Sequence, residues 1–148
     1  MGELGPTRCY DDVPVGETLP PCTIDLTPTL IISTAIASRD YQDVHHDRDL
    51  ARKKGSKDIF MNILSTNGFV GRFVTDWAGP EAILQRVAIR LGAPNYPYDQ
   101  MRMTGRVERK QIVDGAGTLQ VAIRGRNGLG DHVSGTVDLV LPRAGSSR

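Results

Sequence analysis

Apolar and polar side chains alternate in four runs through the C-terminal half of the chain. The apolar members of these runs are Val87, Ile89 and Leu91; Met101, Met103 and Val107; Leu119, Val121 and Ile123; and Val133, Val137, Leu139 and Leu141. A period of two places such residues on one face of a β-strand. Glycine-containing stretches at 114–117 and 127–130 separate the last three runs as turns. The pattern therefore predicts an antiparallel meander with one apolar face.

One long helix is predicted ahead of this meander, from Asn62 to Ala78. Its apolar stripe recurs at helical spacing and consists of Thr66, Val70, Phe73, Val74 and Trp77, with Gly79 and Pro80 ending the run. Gly68 and Gly71 inside the helix each cost about 1 kcal/mol relative to alanine, so we expect the helix backbone to pack closely against a neighbour. A sheet with one apolar face and a helix with one apolar stripe bury each other. The sequence predicts a single α+β domain whose antiparallel sheet wraps around this central helix.

The sequence of the N-terminal third predicts an irregular arm, a short strand and then a helix. Residues 1–21 are rich in Gly, Pro and Asp and are expected to form an extended arm. Cys22 to Leu26 is expected to form a short strand. Thr27 and Pro28 are a good N-cap and first helical residue, so a helix is predicted from Pro28 to Ser38. A β-strand through Leu30 to Ala35 is the alternative, because isoleucine and threonine favour strands.

Two shorter segments complete the expected secondary structure. Asp47 to Lys54 predicts one or two helical turns ended by Gly55. Residues 143–148 are expected to form a flexible tail.

Composition excludes several classes of protein. A length of 148 residues fits one domain, and 18 Lys plus Arg against 17 Asp plus Glu gives no charge excess for nucleic-acid binding. No apolar run has the length needed to cross a bilayer, so no membrane association is expected. Two cysteines without a C-x-x-C pattern or a secretory leader are typical of a reduced, cytoplasmic protein. We expect no metal site.

Three carboxylates and two histidines lie together between Asp40 and Asp47. Asp40 and His45 are too far apart to share a helix face, but side chains at this spacing can meet across a tight connection. An imidazole with a pKa of about 6.5 and an ionised carboxylate can both reach one water molecule and act as a general base. The cluster predicts a water-activating pair. The alternative is structural: Asp40 closes a turn, Asp47 caps a helix and the histidines are solvated.

The motif D-x-x-x-V-H-x-D at 40–47 carries a family resemblance, together with the arm Y-D-D-V-P-V-G-E at 10–17, the glycine-containing helix and the meander. Nearly the whole chain resembles the MaoC-like (R)-specific enoyl-CoA hydratases of the hotdog fold. Within that family, the segments 39–49, 55–64, 74–80 and 129–133 are similar to the small subunits of actinobacterial steroid side-chain enoyl-CoA hydratases. The resemblance implies hydration of a trans-2-enoyl-CoA thioester in steroid catabolism, with no cofactor beyond the CoA of the substrate.

The resemblance also assigns residues to roles. Asp40 and His45 take the positions of the hydratase dyad. A backbone N–H of Asn62 or Ile63, at the start of the central helix, is expected to stabilise the thioester oxyanion. The usual Asn-Pro after the catalytic Asp is Gln-Asp at 42–43 here, and the usual His-Gly ahead of the helix is Met-Asn at 61–62. We expect the extra carboxylate of Asp43 to raise a neighbouring pKa.

Substrate contacts and partners follow from the same resemblance. Tyr41 is a candidate for packing on the acyl chain, and Arg86 and Arg90 are candidates for the CoA phosphates, although a solvated strand face is the alternative for both arginines. The expected partner is a second, larger MaoC-like hotdog subunit in a heterotetramer, with a homodimer as the alternative. A non-catalytic subunit that shapes a partner's pocket and a hotdog acyl-CoA thioesterase are the alternative functions.

Overall fold

The protein is described by a computed structural model over residues 5–145. Within this range the helices are α1 (Pro28–Ala37), α2 (Arg48–Lys53) and α3 (Ile63–Ala78), and the strands are β1 (Thr18–Leu26), β2 (Ile83–Leu91), β3 (Asp99–Val113), β4 (Ala116–Asn127) and β5 (Gly130–Leu141). The strands form one antiparallel sheet in the order β1-β3-β4-β5-β2. The predicted arrangement of an antiparallel sheet around a long central helix is confirmed.

Helix α3 begins and ends where its sequence signals lie. Asn62 is the N-cap, and its side-chain oxygen accepts a hydrogen bond of 3.0 Å from the N–H of Ser65. Gly79 ends the helix with a φ of 95°, a conformation that favours glycine. The expected close packing of the two internal glycines is confirmed only in part. A Cβ on Gly71 would lie 3.4 Å from Leu84 Cδ1, whereas nothing lies within 4 Å of the corresponding position on Gly68.

The core lies between α3 and the inner face of the sheet. Its fully buried members on the helix are Val70, Val74 and Ala78, and those on the strands include Met101, Met103, Leu119, Val121, Val137 and Leu139. These strand residues are apolar members of the period-two runs on β3, β4 and β5, so the predicted face is the buried one on those strands. On β2, Val87 and Ile89 are half-buried and Leu91 is exposed. A two-residue turn at Asp114 and Gly115, both at positive φ, joins β3 to β4.

Strand β1 is longer than predicted. It begins at Thr18 and not at Cys22, so residues 18–21, assigned to the arm, belong to the sheet. The register shifts between Leu19 and Cys22, where Pro20 and Pro21 lie. Proline cannot donate to a ladder, but it is tolerated at a bulge on an edge strand, and β1 is an edge strand of this sheet.

The two shorter helices follow their predicted bounds within one residue. Thr27 caps α1 by accepting a hydrogen bond of 3.0 Å from the N–H of Leu30. The alternative of a strand through Leu30 to Ala35 is wrong. Asp47 caps α2, and Gly55 follows that helix with a φ of 90°.

The arm and the tail are tied to the domain where the structure describes them. Tyr10 and Val13 are buried, and Lys110 Nζ donates to both of their carbonyl oxygens. In the predicted tail, the N–H of Ala144 donates to the carboxylate of Asp11 at 2.8 Å. Residues 1–4 of the arm and 146–148 of the tail lie outside the described residues. Between residues 5 and 145, none of the helices combines the length and apolar character that crossing a bilayer requires.

Candidate active site

Asp40 lies directly after α1, where the chain turns away from the helix axis. Arg39 makes that turn with a φ of 58°. The side chain of Asp40 is 18% exposed, and its Oδ1 accepts a hydrogen bond of 3.3 Å from the N–H of Gln42. The carboxylate is therefore held at the end of the helix while it remains reachable from solvent.

His45 ends a short 3-10 turn over Asp43–His45, and its side chain is only 8% exposed. The imidazole packs edge-on against Phe60, with ring centroids 4.9 Å apart. Its Nδ1 lies 2.7 Å from the carbonyl oxygen of Phe60. A carbonyl can only accept, so Nδ1 carries the hydrogen and Nε2 carries the lone pair in the neutral ring.

The structure brings Asp40 and His45 together, with Asp40 Oδ2 3.4 Å from His45 Nε2. In the neutral ring both atoms are acceptors. Two acceptors at this distance can share a donor, and a water molecule can give one O–H to each. The arrangement fits a base that removes a proton from water.

Asn62 connects this pair to the start of α3. Its Nδ2 donates to Asp40 Oδ2 and to Ser38 Oγ, each at 3.0 Å. Its Oδ1 accepts from the N–H and the hydroxyl of Ser65. The side chain therefore spans the cap of the central helix and the candidate base.

The pKa of the Asp40 carboxyl is lowered from its ordinary value. The hydrogen bond from Asn62 is the largest cause; burial acts in the opposite direction, and the N–H of Gln42 and the nearby rings of His45 and His46 lower the pKa further. Asp40 is therefore ionised at neutral pH, as a carboxylate that orients water must be.

The neighbouring Asp43 does not act as expected. Its carboxylate accepts a hydrogen bond of 2.9 Å from Lys54 Nζ, and this contact lowers the pKa of Asp43 itself. The expectation that its charge raises a neighbouring pKa is wrong for Asp40, because Lys54 balances that charge. His46 is half-buried, and its Nε2 donates to the Tyr41 carbonyl oxygen at 3.1 Å.

The two candidate oxyanion donors lie at the start of α3. Asn62 has a φ of −78°, so the glycine usual in the family is not needed there for its backbone angles. Within residues 5–145, the N–H groups of Asn62 and Ile63 donate to no protein acceptor, as is normal for the first N–H groups of a helix. They have free donors and the positive end of the helix dipole. Their role as oxyanion donors stays a prediction.

The candidate substrate contacts lie apart from one another. Tyr41 follows Asp40 directly and is 64% exposed. Arg86 and Arg90 on β2 are paired with Asp138 and Ser134 of β5, on the sheet face opposite α3. Within one chain the sheet therefore separates both arginines from the dyad. Their assignment to CoA phosphates stays a prediction.

A cavity of about 350 Å³ with a mostly apolar lining opens between α1 and α3. Ser38 and Ser65, which both contact Asn62, lie at its polar end. Ala37, Leu64, Gly68 and Phe69 line its apolar part, and Thr34 and Arg72 line the remainder. The open position at Gly68 gives this cavity part of its width.

The sequence does not predict three groups of the site: the Phe60 carbonyl, the Ser38 hydroxyl and the Asn62 side chain. All three join residues 15 to 24 positions apart. The one available signal was Asn62 at a helix N-cap, which indicates a cap and not a bond to a distant carboxylate.

His132 is also buried near this end of α3, with Nε2 2.8 Å from Thr66 Oγ1 and Nδ1 2.7 Å from the Ala93 carbonyl oxygen.

Comparison with known proteins identifies a close relative. The β subunit of 3-oxo-4,17-pregnadiene-20-carboxyl-CoA hydratase from Mycobacterium tuberculosis is 53% identical over 127 residues, covering 86% of this chain and 95% of that subunit. No family model matches the chain.

Solved structures confirm the predicted hotdog fold. A chain in the crystal structure of the ChsH1-ChsH2 complex from Mycobacterium tuberculosis is similar with a TM-score of 0.80 and 51% identity, covering 86% of this chain and 97% of that one. The (R)-hydratase PhaJ1 from Pseudomonas aeruginosa has the same fold, with a TM-score of 0.80 at 20% identity, covering 91% of this chain and 86% of that one.

Proposed function

Because the chain belongs to the MaoC-like hotdog hydratase family, we propose that it is the water-activating subunit of an enoyl-CoA hydratase, with Asp40 and His45 as its base. The observation that carries this proposal is the 3.4 Å separation between Asp40 Oδ2 and His45 Nε2, with Nδ1 of the ring already committed to the Phe60 carbonyl. Asp40 Oδ2 and His45 Nε2 thus offer one water molecule two neighbouring hydrogen-bond acceptors.

In the proposed reaction, this water attacks the β-carbon of a trans-2-enoyl thioester. The water oxygen bonds to the β-carbon as one of its protons passes to the dyad, and the π electrons move toward the thioester oxygen. A proton from the dyad then bonds to the α-carbon, which restores the thioester carbonyl. The net change is addition of H to the α-carbon and OH to the β-carbon, with the dyad unchanged.

Stabilisation of the transient oxyanion is assigned to the start of α3. The N–H groups of Asn62 and Ile63 are free of protein acceptors in residues 5–145, and the helix dipole adds positive potential at the same place. Backbone donors at a helix start are fixed before the reaction, so they need little reorganisation as charge develops.

The proposed substrate is a bulky enoyl-CoA derived from a steroid side chain. The name of the Mycobacterium tuberculosis relative supports this class, because it describes a pregnadiene carboxyl-CoA hydratase. The cavity that ends at Ser38 adds a physical reason, since its lining is mostly apolar and Asn62 connects Ser38 to Asp40.

A second hotdog subunit is the proposed partner. The similar chain in the ChsH1-ChsH2 crystal structure is part of a two-component complex. In this chain, β2 is an edge strand whose Leu84 and Leu91 are exposed, and Ile63 and Leu64 are exposed on the first turn of α3. An unpaired strand edge beside apolar side chains is typical of a surface that another subunit covers. A heterotetramer is the proposed assembly, with a homodimer as the alternative.

Hydration of enoyl-CoA substrates tests the function directly. The protein, with and without its partner, is given a steroid side-chain enoyl-CoA and a short-chain enoyl-CoA, and loss of enoyl-thioester absorbance is followed. We expect Asp40→Asn and His45→Ala each to lower kcat/KM by about 10²- to 10⁴-fold. Asp47→Asn is the matched control, because the Asp47 side chain caps α2 and asparagine caps equally well.

Two outcomes would contradict the proposal. Full activity in either dyad variant would place the catalytic groups on the partner, which is the reading of this chain as a non-catalytic subunit. Release of free CoA thiol without loss of the double bond would identify a thioesterase instead.

A further inference from the structure

Both ends of the Asn62 amide are used. Oδ1 accepts from the N–H of Ser65 at 3.0 Å and from the Ser65 hydroxyl, while Nδ2 donates to Asp40 Oδ2 and Ser38 Oγ at 3.0 Å each. A backbone N–H can only donate, so the oxygen must face Ser65 and the nitrogen must face Asp40. The orientation of the amide therefore follows from its partners.

Burial keeps this amide in place. Asn62 is 1% exposed, so rotating its side chain would leave polar atoms without partners and out of reach of water. Capping α3 needs only an acceptor, and serine, threonine or aspartate would supply one. Asparagine combines that acceptor with a donor for a carboxylate, and the donor is the feature that a cap alone leaves unexplained.

We propose that the Asn62 side chain is a positioning residue that holds Oδ2 of the Asp40 carboxylate turned toward His45. The role rests on the function proposed above and adds a residue to its machinery. Both polar atoms of this amide bond to protein groups, so Asn62 acts through Asp40. The side chain thereby ties the geometry of the base to the start of α3, where the candidate oxyanion donors lie.

The electrostatic surroundings of Asp40 agree with this role. The titratable groups that act on its carboxylate are His45 and His46, both on the connection that follows it. The first turn of α3 contributes no titratable side chain. Among the causes that lower the pKa of Asp40, the hydrogen bond from Asn62 is larger than either histidine.

Two substitutions separate positioning from capping. Asn62→Ser keeps an N-cap oxygen but is too short to reach Asp40, and Asn62→Asp keeps the shape and the cap but replaces the donor with an acceptor. Thr27→Ala is the control, because it removes the cap of α1 at the end remote from Asp40. Each variant, with its partner subunit, is measured for kcat, KM, the pH profile of kcat/KM and melting temperature. The ionisation of Asp40 is also followed by ¹³C NMR of its carboxyl carbon without substrate.

We expect Asn62→Ser to lower kcat by about tenfold or more with little change in KM. The NMR titration of Asp40 should move up by about 1 pH unit, because a hydrogen bond to the ionised form has been removed. Asn62→Asp should move it further, since two like charges would adjoin. Thr27→Ala should lower the melting temperature and leave the titration of Asp40 in place.

The outcomes distinguish this role from the proposed function. An Asp40 carboxyl that titrates as in the wild type in active Asn62→Ser and Asn62→Asp proteins would overturn the positioning role alone. A kcat loss no larger than that of Thr27→Ala at equal loss of melting temperature would reduce Asn62 to a helix cap. A wild-type complex that hydrates none of the substrates would instead overturn the proposed function, whatever the NMR titration shows.

Discussion

The N–H of Asp40 donates to the carbonyl oxygen of Ala35 at 3.0 Å, across the end of α1. The N–H of Arg39, one residue earlier, donates to the carbonyl oxygen of Ile36, one residue later than Ala35, also at 3.0 Å. This pair of bonds is the Schellman motif, which ends a helix with one residue in the left-handed conformation. That residue is Arg39, with a φ of 58°. The motif fixes the direction in which Asp40 leaves the helix.

Substitution of Arg39 should therefore change stability through the backbone. The left-handed conformation costs an ordinary residue about 1–2 kcal/mol, and glycine avoids this cost but loses more entropy on folding. We expect Arg39→Gly to leave the free energy of unfolding unchanged or raise it by up to about 1 kcal/mol, and Arg39→Val to lower it by about 1 kcal/mol or more. Urea denaturation measures both. A loss larger than 1 kcal/mol in Arg39→Gly would show that the arginine side chain itself is needed.

Local patterns were sufficient to predict most of the fold. The alternation of Leu119, Val121 and Ile123 and the helical spacing around Val70 each report which side of their own element is buried, so the meander and α3 could be predicted. The start of β1 could not, because Pro20 and Pro21 read as breakers. They are tolerated there because β1 lies at the edge of the sheet, and its position in the sheet depends on the whole chain.

The candidate site was predictable only where its residues are close in sequence. Asp40 and His45 belong to one motif, and the structure places them together. The bond between Asn62 and Asp40 spans 22 positions and depends on how α1 packs beside α3. For Arg86, the local alternation predicts that the side chain lies on the polar face of its strand. Its separation from the dyad depends on how the sheet packs against α3, which the local pattern does not report.

His132 should make the protein less stable in acid. Burial lowers its pKa, so the folded state keeps the ring neutral, with Nε2 accepting from Thr66. The unfolded chain binds a proton below a pH of about 6.5. The stability due to the neutral ring is therefore complete above that pH and is lost as the pH falls from there toward the folded-state pKa, by at most about 1.4 kcal/mol per pH unit.

Comparison with His132→Gln tests this dependence. Glutamine does not titrate, so the variant should show a shallower loss of unfolding free energy than the wild type when the pH is lowered through this window. The carboxylates of the protein contribute equally to both curves. Equal slopes in the two proteins, measured by urea denaturation at several pH values, would contradict the prediction.

Gly117 of β4 should not tolerate a side chain, because the Tyr10 ring covers it. A Cβ at this position would lie 2.6 Å from Tyr10 Cδ2 and 2.8 Å from its Cβ. We expect Gly117→Ala to lower the free energy of unfolding by about 1–3 kcal/mol through overpacking. In Tyr10→Ala the same substitution should cost less, which a double-mutant cycle measures. Gly5→Ala is the control, since nothing lies within 4 Å of a Cβ built on Gly5. An equal loss of unfolding free energy at both glycines would show that contact with Tyr10 is not the cause.

Two isoleucines of nearly equal exposure offer a matched test of the partner surface. Ile63, on the first turn of α3, is 52% exposed, and Ile112, near the end of β3 that joins β4, is 53% exposed. Ile63→Asp places a charge on the surface proposed to meet a second hotdog subunit, and an acidic residue in the first helical turn does not destabilise the helix. Ile112→Asp places the same charge on the β3–β4 hairpin.

We expect Ile63→Asp to weaken association with the partner subunit by about tenfold or more, because a charge in an apolar contact is left without a partner. Ile112→Asp should associate as the wild type does. Co-purification and the molar mass in light scattering measure the assembly, and the melting temperature of each variant shows that it is folded. Weaker association in both variants to the same degree, or in Ile112→Asp alone, would remove the first turn of α3 from the proposed interface.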